Sequence, residues 1–159
     1  MQVLPDSSTI IALAKTDSLD LLKKTFGEVW VTKEVKKEIT SGDFPEVGKI
    51  KEGMGGWIKV LKAGTTRYRK IEGIGSGERS ILSYAKGRKN VLLILDEVEA
   101  RAISEGEGIP YTGTIGLIVF ACESNKISNK EAVDIVKRLS KSDFRMTVEL
   151  YDWALERLR

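Results

Sequence analysis

The sequence predicts an α/β fold built on parallel strands. Residues 91–95 are five apolar residues in a row that end at Asp96 and Glu97, a helical pattern follows, and a second apolar segment at 109–111 ends at Thr112-Gly113-Thr114. Two strand candidates joined by a helix are typical of a parallel crossover. Residues 115–122 are apolar almost all round, which predicts a central, buried helix. Because ligands gather at the carboxyl ends of parallel strands, Asp96 is the first candidate site residue.

Length and composition indicate one ordinary globular domain. The chain has 159 residues, 42% hydrophobic and 31% charged, so we expect a single domain over residues 1–159 with a sizeable core. The net charge of +3 tolerates a polyanionic partner without requiring one. We see no signal peptide and no segment near the ~20 apolar residues of a membrane span. A cytoplasmic protein with no membrane association is expected.

The absence of histidine excludes several kinds of catalytic and metal-binding site. With no histidine and a single cysteine, the sequence excludes Ser-His and Cys-His catalysis, imidazole zinc sites and disulfides. Cys122 lies in an apolar run and is expected to be a buried thiol. Any catalysis should therefore use carboxylates, together with a divalent metal.

The first half of the chain predicts two strands and several helices. Residues 1–4 suit a strand that Pro5 ends. Asp6 is then either a helix cap or a site carboxylate. Ser18 is a plausible cap for the next short helix, residues 29–31 form a second strand, and Thr32 caps the helix that follows it.

That helix places Glu34 and Glu38 on one face, although a solvated Lys/Glu face is the commoner explanation. The glycine-rich stretch 41–56 is expected to be a loop with at most a short helical turn, before a short strand at 57–61. The segment 62–70 is basic. Its Arg67, Arg69 and Lys70 are candidate RNA phosphate contacts beside a base-stacking Tyr68, and a solvated loop is an equal alternative.

The glycines at 73–77 resemble a nucleotide loop only superficially. Their spacing is G-x-G-x-G, no clear strand precedes them, and no P-loop lysine follows. We expect a turn in which Ser76 caps a helix and Glu78 lies in its first turn, either as a dipole partner or as a metal ligand. Residues 128–131 match a capping box. A last helix from Val148 to Leu158 either completes the core or forms a dimer face.

Four carboxylates stand where predicted elements begin or end: Asp6, Glu38, Glu78 and Asp96. Hard oxygen ligands of this kind bind Mg²⁺ or Mn²⁺, which orients water and stabilises charge during phosphodiester hydrolysis. This set therefore predicts a metal site that needs no histidine.

At this point the sequence resembles the PIN domain family, and within it the VapC-type toxin ribonucleases. The resemblance rests on five motifs in order: D-S-S-x-x-I-x-L-A at 6–14, K-E-V-x-x-E-I at 33–39, G-x-G-E at 75–78, L-D-E-x-E-A-R at 95–101 and Y-T-G-T-I-G at 111–116. It implies a three-layer α/β/α sandwich with a central parallel sheet of four or five strands and an acidic pocket at the carboxyl edge of that sheet.

The resemblance also implies roles for individual residues. Asp6, Glu38, Glu78 and Asp96 correspond to the family's catalytic, metal-binding acids. Four further positions are accessory candidates: Glu97 as a fifth acid, and Ser7, Thr112 and Thr114 as polar neighbours. The implied activity is a Mg²⁺- or Mn²⁺-dependent endoribonuclease that acts on single-stranded or structured RNA, forms a homodimer and is neutralised by a small antitoxin.

Two alternatives belong to other classes. The first is a catalytically weak module that binds RNA or an antitoxin, which the basic segment 62–70 would serve. The second is a receiver-like phosphoacceptor, which is disfavoured because serines, not a second acid, follow Asp6.

Overall fold

A computed structural model describes residues 1–62 and 73–159. The described residues form five short strands: β1 (Gln2–Pro5), β2 (Val29–Val31), β3 (Ile58–Val60), β4 (Val91–Ile94) and β5 (Tyr111–Thr112). They also form nine helices: α1 (Ser7–Lys15), α2 (Asp20–Phe26), α3 (Lys33–Thr40), α4 (Val47–Met54), α5 (Ser76–Ala85), α6 (Val98–Gly106), α7 (Thr114–Glu123), α8 (Asn129–Ser140) and α9 (Val148–Arg157).

Every strand pairing within the described residues is parallel. β4 lies between β1 and β5 in a three-stranded sheet, and β2 pairs with β3 in a two-stranded sheet. β1 and β2 also lie in contact, although hydrogen-bonded pairing does not join the two sheets. Helices alternate with these strands along the chain. The predicted α/β fold with parallel strands is confirmed, and it is consistent with a three-layer sandwich.

Pro5 is the last residue of β1, so the strand ends at the proline as predicted, with Pro5 itself paired in the sheet. The amides of Gln2 and Asp6 donate to the carbonyls of Asn90 and Ile94 at 3.0 Å each, so even-numbered residues of β1 point their N–H groups at β4. The nitrogen of Pro5 therefore faces the β2 side. Because this nitrogen points away from β4, the missing N–H of Pro5 leaves the β1–β4 pairing intact.

The core lies between the strands and the helices that cover them. Leu93, Ile94 and Leu95 are fully buried, as a parallel strand covered on both faces requires. Helix α7 is buried along most of its length, as predicted, but Phe120 is 51% exposed and stacks on Phe26 of α2. Cys122 is only partly buried, which corrects the expectation of a core thiol.

The predicted helix cap is confirmed for α3 but is wrong for α2 and α5. Thr32 caps α3 by accepting from the Val35 amide at 3.1 Å, as predicted. Ser18 does not cap α2, because its hydroxyl donates to the Thr16 carbonyl instead. The cap residue of α5 is Gly75, which makes Ser76 its first helical residue.

Two longer segments also bear on the predictions. Residues 47–54, expected to be loop with at most a short turn, form the eight-residue helix α4, whose Ile50 is fully buried. Ala154 of helix α9 and Leu158, which follows it, are buried, while Val148 and Trp153 stay exposed. In the described residues, no helix has the length and apolar character needed to cross a bilayer.

Candidate active site

Asp6 lies directly after β1, and its two carboxylate oxygens make different contacts. Its Oδ1 caps α1 by accepting from the Thr9 amide at 2.8 Å and from the Ser8 hydroxyl at 3.0 Å. Its Oδ2 faces the neighbouring strand end and lies 3.4 Å from the Asp96 amide nitrogen. Asp6 is therefore a helix cap, as one of the two alternatives predicted, and its second oxygen stays available for the predicted site role.

Asp96 occupies the equivalent place after β4 and is held from two helices. Its Oδ1 accepts from the Thr114 amide at 2.9 Å, at the start of α7, where the helix dipole favours an anion. Its Oδ2 accepts from the hydroxyls of Thr114 at 2.5 Å and Thr9 at 3.3 Å. The two threonine hydroxyls also lie 3.0 Å apart, and both residues are fully buried. Thr9 and Thr114 thus tie together the two strand ends.

Arg101 forms an ion pair with Asp96. Its Nε donates to the Leu95 carbonyl at 2.7 Å, while its Nη2 lies 3.5 Å from Asp96 Oδ1. The guanidinium packs against Gly113, where an added β-carbon would lie only 2.1 Å from Nη2. The glycine of the T-G-T segment therefore leaves room for an arginine that orients the strand end.

Glu38 enters the site from α3 and meets the start of α5. A β-carbon on Gly77 would lie 1.8 Å from Glu38 Oε1 and 3.2 Å from Ser7 Oγ. Only glycine allows this approach, which explains the second glycine of G-x-G-E. The Ser7 hydroxyl oxygen is buried and has no hydrogen-bond partner among the described residues.

Glu78 is half-buried at the start of α5 and lies within the electrostatic reach of four other acids. Burial, followed by the charges of Asp6, Glu97, Glu38 and Glu99, raises the pKa of Glu78 from 4.5 to about 7. Its Oε2 is buried without a hydrogen-bond partner in the described part of the chain. Burial and the charge of Asp96 likewise raise the pKa of Asp6 from 3.8 to about 6. A cation bound beside these carboxylates would lower both pKa values.

The donor set suits a divalent cation in chemistry, but its geometry is incomplete. Within residues 1–62 and 73–159, no three acidic or cysteine side chains converge closely enough to hold a metal ion. Asp6 and Asp96 are fixed by hydrogen bonds, whereas no hydrogen bond from another described residue holds the Glu78 carboxylate oxygen Oε2. A shared coordination sphere therefore requires the glutamate side chains to move.

The accessory candidates fall into different places. Thr114 contacts Asp96 directly, and Glu97 contributes its charge to the shift at Glu78. The Thr112 hydroxyl instead lies against Gly116 and donates to the Gly113 carbonyl at 3.4 Å. Its role in the site stays a prediction. The candidate RNA contacts Arg67, Arg69 and Lys70 lie outside the described residues.

Sequence reasoning missed three participants. Thr9, Glu99 and Arg101 all lie inside the quoted motifs, yet none was given a role. Thr9 is the third residue after the Asp6 cap, so its contact with that carboxylate could have been anticipated from capping geometry. Its second contact, to Asp96, depends on the pairing of β1 with β4 and has no local signal.

Comparison with known proteins agrees with this arrangement. A family model described as a PIN domain matches residues 2–159, almost the whole chain. The chain belongs to the PIN domain family. PIN domains are typically nucleases and generally use divalent metals, which supports a hydrolase reading of the acidic site. No curated protein and no solved structure matches this PIN domain.

Proposed function

We propose that this PIN domain is a divalent-metal-dependent endoribonuclease. The observation that carries the proposal is the Asp6–Asp96 pair, which two buried threonines hold at neighbouring strand ends within reach of Glu78. Carboxylates forced together at the carboxyl edge of a parallel sheet are costly for a fold, and a bound cation offsets that cost. The proposed ion is Mg²⁺ or Mn²⁺, since both prefer oxygen ligands.

In this proposal each residue of the site has a specific role. Asp6 and Asp96 hold the metal, which supplies Lewis-acid stabilisation of the phosphate and lowers the pKa of water. Glu38 and Glu78 complete the site, directly or through water. The Oε2 atom of Glu78, buried and without a partner in the described residues, accepts the proton of the attacking water. Thr9, Thr114 and Arg101 position the aspartates.

The finer identity is also a proposal. The five motifs resemble those of VapC-type toxins, and this resemblance supports RNA as the substrate, a homodimer and a small antitoxin as a partner. A gene for a small protein directly upstream of this one would support the toxin assignment. Its absence, together with unaffected growth of cells that express the chain, would count against that assignment.

The decisive experiment compares wild type with Asp96→Asn on labelled single-stranded RNA in Mn²⁺, Mg²⁺ or EDTA. We expect metal-dependent cleavage by the wild type only. The matched control is Asp134→Asn, an exposed acid on α8, which should cleave like wild type. Equal cleavage by wild type and Asp96→Asn, or cleavage that survives EDTA, would overturn the proposal.

One observation favours a second function, a binding module with little turnover. No three of the described acids converge on a metal position, so a chain whose glutamates cannot move would bind RNA or an antitoxin without cutting. Wild type that binds RNA but never cleaves it in any metal would establish this alternative. Charge reversal of Arg67 and Arg69 should then abolish binding.

A further inference from the structure

Asp96 borders two separate grooves. The first has a volume of about 650 Å³ and runs between α1 and the segment at 143–145 that precedes α9. The second is smaller, about 220 Å³, and lies between Asp96, Arg101 and the side of α9 that carries Trp153. Residues 143–145 line the first groove, and Leu150 and Trp153 line the second. Asp96 lines both grooves, so both open onto this residue.

The first groove contains an aromatic side chain and two cations, together with the acids Asp96, Glu97 and Asp143. Phe144 is partly buried and Arg145 is exposed, and both line the groove with Lys15. Among the described residues, Arg145 forms no ion pair, so its charge faces solvent. Lys15 lies 3.7 Å from Asp143, whose side chain is 81% exposed, and so loose a surface pair holds the lysine only weakly.

The second groove repeats this combination on a smaller scale. Trp153 is 41% exposed, and it lines the second groove together with Arg101. The Arg157 guanidinium lies 5.6 Å from the centre of the Trp153 ring, so it supports the indole with a cation–π contact. Each groove thus has an aromatic side chain, an arginine and Asp96 in its lining.

We propose that the two grooves form one track for an unpaired nucleic acid strand, with Phe144 and Trp153 as base-stacking side chains on either side of Asp96. Stacking on aromatic side chains requires bases that are not paired, and cations beside them neutralise the backbone. The larger groove has the volume of an ordinary small-ligand pocket, enough for one nucleotide. The inference rests on the proposed nuclease function in taking Asp96 as the reacting centre.

The charges that line the first groove determine whether each substitution should strengthen or weaken RNA binding. Asp143 and Glu97 oppose a polyanion there, while Arg145 and Lys15 attract one. Asp143→Asn removes a repulsive charge and releases Lys15, so it should tighten binding. Arg145→Glu should weaken binding and lower its dependence on salt concentration. Opposite effects from adjacent residues are difficult to attribute to a general loss of folding.

The test measures the anisotropy of a labelled 12-nucleotide RNA in EDTA, so that binding is read without cleavage. Phe144→Leu and Trp153→Leu keep apolar bulk but remove the rings, and each should weaken single-strand binding by about tenfold. The same sequence as a duplex should bind more weakly to wild type. The control for ring loss is Phe120→Leu, on α7 outside both grooves, and the control for charge reversal is Lys137→Glu on α8. Both controls should bind like wild type.

The outcomes separate this inference from the nuclease proposal. Unchanged binding by Phe144→Leu and Trp153→Leu, equal loss in the two controls, or equal affinity for the duplex would overturn the track even if wild type cleaves RNA. If the ring and charge variants behave as expected but no metal supports cleavage, the track stands and the nuclease proposal fails.

Discussion

Gly77 and Glu38 meet so closely that the glycine has no room for a side chain. An added β-carbon would lie 1.8 Å from the Glu38 carboxylate oxygen, at the first turn of α5. The carboxylate is the far end of a flexible side chain, so it would yield to a methyl group more easily than the backbone would. The position of Glu38 is therefore set by the absence of an atom on the facing helix.

Gly77→Ala should displace Glu38 without unfolding the protein. Alanine favours a helix over glycine by about 1 kcal/mol, so stability should hold or rise, whereas cleavage should fall at least tenfold as Glu38 leaves the site. Thermal unfolding and RNA cleavage in Mn²⁺ measure the two effects. Gly106→Ala in α6, where no neighbour lies within 4 Å, should leave cleavage unchanged. Full activity of Gly77→Ala would show that Glu38 has no part in the reaction.

Thr114→Val should lower the affinity for Mn²⁺ more than Thr112→Val does. Valine removes the hydroxyl that donates to Asp96 Oδ2 and meets Thr9, and loss of a hydrogen bond to a charged group costs about 1.5–3 kcal/mol. Thr112 lies against Gly116 instead and should tolerate the change. Thr114→Ser, which keeps a hydroxyl, should recover most of the affinity for Mn²⁺. Equal losses in the two valine variants would contradict the contacts described at Asp96.

The metal-free protein should become less stable as pH rises from 5 to 8. The pKa of Asp6 is raised from 3.8 to about 6, so the folded state favours the protonated form. That contribution amounts to about 3 kcal/mol in all; it is full below pH 3.8 and is lost as pH rises from 3.8 through 6, so about half of it remains to be lost above pH 5. Glu78, with its pKa raised to about 7, acts in the same direction. Melting in EDTA across this pH range should show a fall in Tm on the order of 5–10 °C.

Asp6→Asn should flatten this pH dependence. Asparagine caps a helix as well as aspartate does, so the Thr9 amide keeps its acceptor while the buried charge is gone. In EDTA at pH 8, this variant should melt at a higher temperature than wild type. Asp134→Asn should keep the wild-type profile. A steep profile that persists in Asp6→Asn would assign the effect to other groups.

Added Mn²⁺ should raise the Tm of wild type much more at pH 8 than at pH 5. Protons and metal compete for the same carboxylates, so binding, and with it the stabilisation by mass action, strengthens as the acids ionise. Asp96→Asn should show little shift at either pH. A shift of equal size at both pH values, or one that Asp96→Asn retains, would place the metal elsewhere.

The sequence predicted features that depend on neighbouring residues better than contacts between residues far apart in the chain. The apolar run at 91–95 and its polar end located Asp96, because a buried parallel strand and its carboxyl end can be recognised within a few residues. Asp6 was ambiguous because a residue type does not show how two carboxylate oxygens are shared, and here one oxygen caps α1 while the other faces Asp96. The links through Thr9 and Arg101 join distant parts of the chain, so they required the pairing of β1 with β4. Helix α4 was missed because its glycines masked a helix that packing stabilises.

The proline in β1 has a consequence for the assembly of the acids. With no ladder across the β1–β2 boundary, Asp6 and Asp96 belong to one hydrogen-bonded sheet, while Glu38 follows a strand of the other. Side-chain packing across this seam, with Leu4 and Val31 fully buried in the strands that flank it, sets the spacing between the two groups of carboxylates. A change of one methylene there would therefore shift Glu38 relative to Asp6 and Asp96 without altering any of the acids themselves.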